Sequence, residues 1–203
     1  MTTPGFDIES LGWAKSPDGL LPAIVQDADT LRVLMLGYVN RESLARTLAS
    51  GHVTFFSRSR GNLWTKGESS GHFLDLVSLE SDCDNDTVLV MARPHGPTCH
   101  LGRTSCFADA PGDGLAELDR LIATRESERP EGSYTTRLFE GGVRRIAQKV
   151  GEEGVETALA AVAQGDAELL GESADLLYHL LVLLRSRGLG LADALKVLEQ
   201  RAR

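Results

Sequence analysis

The hydrophobic period changes once along this chain, at FADAPGDG (residues 107–114). Before it, apolar residues mostly recur at every second position, the spacing of a half-buried strand; after it, they recur at every third and fourth, the spacing of a helix. The stretch itself carries Pro, two Gly and two Asp in eight residues, which reads as a linker. A multi-domain chain is therefore expected. Residues 1–110 should form an α+β domain rich in antiparallel sheet, and residues 115–203 an all-α domain. A length of 203 residues suits two small domains.

In the first half, LLPAIVQDADTLRVLMLGYV (20–39) reads as two strands around an Asp-containing turn. NRESLARTLASG (40–51) follows as a short helix with Asn40 as N-cap and Gly51 at its end. HVTFFSRS, HFLDLVSLE and TVLVMA supply further strands. In the second half, three helices are expected: FEGGVRRIAQKVGEEGVETALAAVA, DAELLGESADLLYHLLVLLRSRG and LADALKVLEQRA. The middle one is apolar nearly all round in its later part, so self-association is expected.

The formal net charge of −8 argues against a protein that tracks a nucleic-acid backbone. The first residues, MTTPGFDIESLGWAKSPDG, lack a basic start followed by an apolar run, and no stretch approaches the ~20 apolar residues of a membrane span. A cytoplasmic protein is expected, with no membrane partner. In that compartment three cysteines point to metal binding or catalysis rather than to disulfides.

All three lie within 24 residues, beside DCDND (82–86). If the preceding strand continues through it, Asp82, Asp84 and Asp86 share one face and Cys83 points to the other. The plainer alternative is a polar turn. On a strand the aspartates would stand about 7 Å apart and repel pairwise by about 2 kcal/mol at an effective dielectric of 20. A hard cation such as Mg²⁺ would relieve this. Cys83, Cys99 and Cys106 favour Zn²⁺, and three protein ligands leave a fourth position open, the catalytic arrangement. A buried, inert thiol is the alternative at each.

The segment FFSRSRGNLWTKGESSGHFLDLVSLESDCDNDTVLVMARPHGPTCHLGRTSCF resembles phosphoribosyl-AMP cyclohydrolase, which opens an adenine ring in histidine biosynthesis. The resemblance runs from LPAIVQD to SCF and rests on W-x-K-G-E-[ST]-S-G-H, D-C-D-x-D and C-H-x-G-x-x-S-C-F. It implies zinc held by Cys83, Cys99 and Cys106 across a dimer interface, and magnesium held by Asp82, Asp84 and Asp86. Many members carry Thr where this chain has Leu101, which weakens any role for a hydroxyl there. His72 and His100 fall inside the motifs and are candidate proton carriers. His52 and His95 fall outside them and read as ordinary surface or loop residues. Arg58, Arg60 and Lys66 suit phosphate contacts, with a solvated basic loop as the alternative.

In the second half Glu152, Glu153 and Glu156 are spaced to meet on one helical face, and Glu172 and Asp175 are three apart. Acidic pairs on helices are commonly solvated, but facing helices with carboxylates can bind divalent ions that clamp a polyphosphate. SYTTRLFEGG, QKVGEEGVET and ESADLLYHLLVLL resemble phosphoribosyl-ATP pyrophosphatase and the wider all-α nucleotide pyrophosphohydrolases. The resemblance implies that Glu152, Glu153, Glu156, Glu172 and Asp175 serve Mg²⁺; Lys149 and Arg137 are candidate phosphate contacts.

Together the resemblances imply a dimeric, bifunctional hydrolase. Phosphoribosyl-ATP would be cleaved by the second half and phosphoribosyl-AMP opened at N1–C6 by the first. The alternative is a metal-dependent nucleotide pyrophosphohydrolase or nucleotide-binding module without the cyclohydrolase reaction, and the cysteine triplet argues against it.

Overall fold

Leu21–Asp27 (β1) buries every second residue, Leu21, Ala23, Val25 and Asp27, as the two-residue period demands. In the computed structural model, which describes residues 6–202, β1 lies inside a four-stranded sheet. One neighbour is Val33–Val39 (β2), antiparallel; the other is Val88–Pro94 (β6), parallel. Leu74–Ser81 (β5) flanks β6 antiparallel and closes the order β2-β1-β6-β5. The main sheet is thus mixed, not the mainly antiparallel one expected. Alternation reports which face a residue takes and is the same for either strand direction. The parallel pair arises because β1 and β6 are joined by a long crossover rather than a hairpin.

That crossover carries Arg41–Ser50 (α1) and a separate hairpin of Thr54–Ser57 (β3) with Asn62–Thr65 (β4). α1 starts where the sequence places it. Ser43 N–H donates to Asn40 Oδ1 and Asn40 N–H to Ser43 Oγ, both at 2.8 Å, while Gly51 closes the helix at φ 75°. Phe55 is fully buried and lies against Gly37, where a Cβ would come within 2.3 Å of its ring. Truncating so enclosed a ring to alanine costs about 3–5 kcal/mol.

Among the described residues a second compact unit begins at Gly114. It contains Gly114–Glu128 (α2), Tyr134–Ala163 (α3), Asp166–Arg185 (α4) and Leu191–Arg201 (α5). α2 is an addition to the three helices expected from the apolar spacing. It is tied to α4 by a two-pronged ion pair of Arg185 with Asp119, one prong being Nε to Oδ1 at 2.9 Å. α3 is broken at Gly142 (φ 75°), so Phe139 and Val143 do not share one helical stripe. The buried centre is small: Ile122, Leu138, Ile146, Leu181 and Val182. Much apolar surface stays exposed, including Val155, Leu159 and Val162 on α3 and Leu170, Leu177 and Leu180 on α4. No described helix is long and apolar enough to cross a membrane.

Candidate active sites

β5 ends at Ser81, and DCDND forms the turn into β6 rather than more strand. Asp82 Oδ1 accepts the backbone N–H of Asp86 (3.0 Å) and of Thr87 (3.1 Å), and Asn85 takes φ 62°. Side-chain acceptors at Asp and the left-handed tolerance of Asn outcompete ladder pairing here. The expected opposition of Cys83 and the aspartates on two strand faces is therefore incorrect. The turn nevertheless gathers the aspartates: one carboxylate oxygen from each of Asp82, Asp84 and Asp86 lies within 4.8 Å of the others. Lys15 Nζ reaches them, 2.7 Å from Asp84 Oδ2 and 3.5 Å from Asp86 Oδ2. The hydrogen bond to Asp84 raises the Lys15 ammonium above its usual range and holds the Asp84 carboxyl below its own.

Cys99 and Cys106 line a cavity of about 680 Å³ together with Trp64, Lys66, His72 and His100. Arg60 also lines it, whereas Arg58 stacks its guanidinium 3.7 Å above the Tyr38 ring. The wall depends on Gly67, at φ 95°, where a Cβ would lie 2.5 Å from the His72 carbonyl carbon. Lys66 Nζ donates to His72 O at 3.2 Å, and burial lowers the Lys66 ammonium while the two thiols oppose that shift. Cys99 is buried. The Leu101 N–H and then the Arg103 guanidinium, with Nη2 3.9 Å from Sγ, hold its thiol below the usual range. Burial first, and then the charge on Cys99, push the Cys106 thiol up. Cys83, exposed in the aspartate turn, does not line this cavity. Among the described residues no three-ligand group includes a cysteine.

His52 and His95, read from the sequence as ordinary surface or loop residues, meet on one carboxylate. His52 Nδ1 is 3.0 Å from Asp75 Oδ1 and His95 Nε2 is 2.6 Å from Asp75 Oδ2. Neither lines the cavity.

In the helical unit Glu153, Glu156 and Glu172 bring one oxygen each within 4.8 Å of the others. Glu152 turns to Gln148 (2.7 Å) and Lys149 (2.8 Å), and Asp175 is not in the three-ligand group. Lys149 Nζ is also 2.6 Å from Glu153 Oε1, and its two glutamate partners hold it well above its usual range. Burial, then Glu156, Glu153 and Asp175, push the Glu172 carboxyl up. Arg137 donates to Gly132 O at 3.0 Å and lies over the Tyr134 ring.

Sequence reasoning missed His179, which is buried, with Nδ1 3.7 Å from Glu153 Oε1. Its Nδ1 is 2.8 Å from Asp175 O, a contact in which Nδ1 can only donate, and its Nε2 is 3.0 Å from Tyr134 OH. The signal was a single imidazole inside LLYHLLVLL, the most apolar run of the chain.

Two family models match in chain order, phosphoribosyl-AMP cyclohydrolase over residues 35–108 and phosphoribosyl-ATP pyrophosphohydrolase over residues 115–202. A histidine biosynthesis bifunctional protein HisIE of Xanthomonas campestris is 72% identical, covering 98% of this chain and 97% of its own. The chain belongs to this bifunctional family. A protein of the same name from Xylella fastidiosa is 70% identical over 99% of this chain and 97% of its own. The Escherichia coli protein of that name is 56% identical over 94% and 95%. The cyclohydrolase half comes first and the pyrophosphohydrolase half second, and the chain carries both activities in histidine biosynthesis. A module without the cyclohydrolase is thereby set aside.

Proposed function

We propose that the chain cleaves phosphoribosyl-ATP at a magnesium-dependent site on α3 and α4, and opens phosphoribosyl-AMP at N1–C6 in a zinc-dependent pocket that two copies complete. The observation that carries this reading is the separation of the cysteines. Cys99 and Cys106 share one cavity with His72 and His100, while Cys83 belongs to the aspartate turn. Two facing thiols, one held below its usual range, suit a soft cation but leave it a ligand short. Cys83 of a second copy is the thiol the chain has to spare. The clustered oxygens of Asp82, Asp84 and Asp86, and of Glu153, Glu156 and Glu172, suit a hard cation.

Zinc held by Cys99 and Cys106 would supply activation of water for addition at C6, and magnesium held by the clustered carboxylates would supply neutralisation of phosphate charge. The chain's own residues do the rest. His72 and His100, which both line the cavity, suit carriage of the proton that N1 gains as the bond to C6 breaks. Arg60 and Lys66 line the same wall and suit the substrate phosphate. In the helical unit Lys149 pairs with both Glu152 and Glu153, and the oxygens gathered to suit the cation are those of Glu153, Glu156 and Glu172.

A second copy also suits the exposed stripe of Val155, Leu159 and Val162, spaced as neighbours on one face of α3. A reducing, cytoplasmic setting suits three free thiols. Zinc per chain, measured alongside solution mass, tests the reading. A zinc-loaded dimer is expected, and a monomer that retains stoichiometric zinc would overturn the shared pocket.

A further inference from the structure

Lys15 lies outside the family motifs and the cysteine cavity, yet its ammonium enters the aspartate turn. It does not arrive there as a freely swinging side chain. Trp13–Lys15 form a short 3₁₀ turn, preceded by Gly12, whose N–H donates to Asn85 O at 2.6 Å. A Cβ at Gly12 would sit 3.1 Å from that oxygen, so the close approach suits glycine. Trp13 is 5% exposed and its Nε1–H donates to Ile8 O at 2.8 Å, which anchors the segment from the other side. From this docked backbone Lys15 Nζ donates to Asp84 O at 2.6 Å and to Asp84 Oδ2 at 2.7 Å, and stands 3.5 Å from Asp86 Oδ2.

We propose that Lys15 is the tethered counter-ion of the aspartate turn, holding Asp84 and Asp86 when no divalent ion is bound and competing with that ion for the same oxygens. The inference rests on the reading that Asp82, Asp84 and Asp86 take a divalent cation. Three carboxylates gathered within 4.8 Å repel one another, and an ammonium among them offsets part of that repulsion. A divalent ion brings twice the charge and prefers the same hard oxygens, so it can displace the ammonium only by breaking both ion pairs. The metal-free turn therefore stays gathered, and the ion binds more weakly than it would to the same turn without the lysine. The helical unit repeats the arrangement on an unrelated fold, with Lys149 Nζ 2.8 Å from Glu152 and 2.6 Å from Glu153.

The test is Mn²⁺ titration of the full chain, with free ion followed by electron paramagnetic resonance, for wild type, Lys15→Met, Lys15→Arg and Asp84→Asn. Asp84→Asn should remove one class of sites and so identify the turn. Lys15→Met should tighten that class about fivefold, the scale of two exposed ion pairs. Lys15→Arg, which keeps the charge, should stay near wild type. Pyrophosphate release should be unchanged in Lys15→Met. Equal or weaker binding in Lys15→Met, with the Asp84-dependent class still present, would overturn the role of Lys15 alone. If Asp84→Asn removes no class of sites, the aspartate reading fails and this inference fails with it.

Discussion

Lys149 reaches one helical turn along α3 to Glu153, Nζ to Oε1 2.6 Å, where the carboxylate is only 6% exposed. A charge that far from water needs its partner. Lys149→Met leaves it unpaired and should destabilise the metal-free helical unit by about 2 kcal/mol, less than a fully buried pair would lose because Lys149 keeps some solvent contact. Urea denaturation followed by circular dichroism would measure the loss. Added Mg²⁺ should recover part of it.

The cysteine reading makes a prediction that a single-copy site does not. Cys83→Ala and Cys99→Ala should each lose zinc and ring opening. Unfolded together and refolded as mixed dimers, they should regain about a quarter of the wild-type zinc. Half the dimers are mixed, and each mixed dimer holds one intact pocket of two. No recovery on mixing, with dimers formed, would count against a pocket shared between copies.

Glu172 gives the helical site a pH dependence with a defined sign. Burial and the neighbouring Glu156, Glu153 and Asp175 raise its folded-state pKa above the unfolded value. The folded chain then holds this proton more tightly than the unfolded one. Metal-free stability should therefore fall as pH rises from the usual glutamate range through the raised value. Glu172→Gln removes the charge, so it should flatten that segment of the stability profile and also weaken stabilisation by Mg²⁺. Melting curves across pH 4–7 in chelator, an interval of roughly the glutamate range and above, would show it. An unchanged profile in Glu172→Gln would refute the assignment.

The two chemistries should also separate. Glu156→Gln should cut pyrophosphate release from phosphoribosyl-ATP by about 10²-fold while sparing ring opening of supplied phosphoribosyl-AMP. Cys106→Ala should do the reverse, and phosphoribosyl-AMP should accumulate. Following both products for each variant, after confirming that its oligomeric state matches wild type, checks the separation. Loss of both activities in either variant would contradict two independent sites.

Much of this was legible in the residues because it depends on local order. The strand alternation of LPAIVQD, the Asn40 cap and the helical spacing of Glu152, Glu153 and Glu156 are properties of a few adjacent positions. The motif residues Lys66, His72, Cys99, His100 and Cys106 could be named from short segments, and the fold brings them to one cavity. The DCDND segment misled because an alternating pattern of acids fits a strand and a turn equally well. Hydrogen bonds from the Asp86 and Thr87 backbone to Asp82 decide between them.

By itself the sequence determined the change from sheet to helix, the family, the order of the two activities and the residue types able to bind metal. Only the tertiary structure decided that β1 runs parallel to β6 and that Cys83 lies apart from Cys99 and Cys106. It also brought His52 and His95 together on Asp75, placed His179 beside Glu153, and set Lys15, 69 positions away in sequence, against Asp84. Side-chain periodicity records which face of an element a residue takes. Direction, long-range pairing and the company a charge keeps are set by how elements pack, which no local pattern encodes.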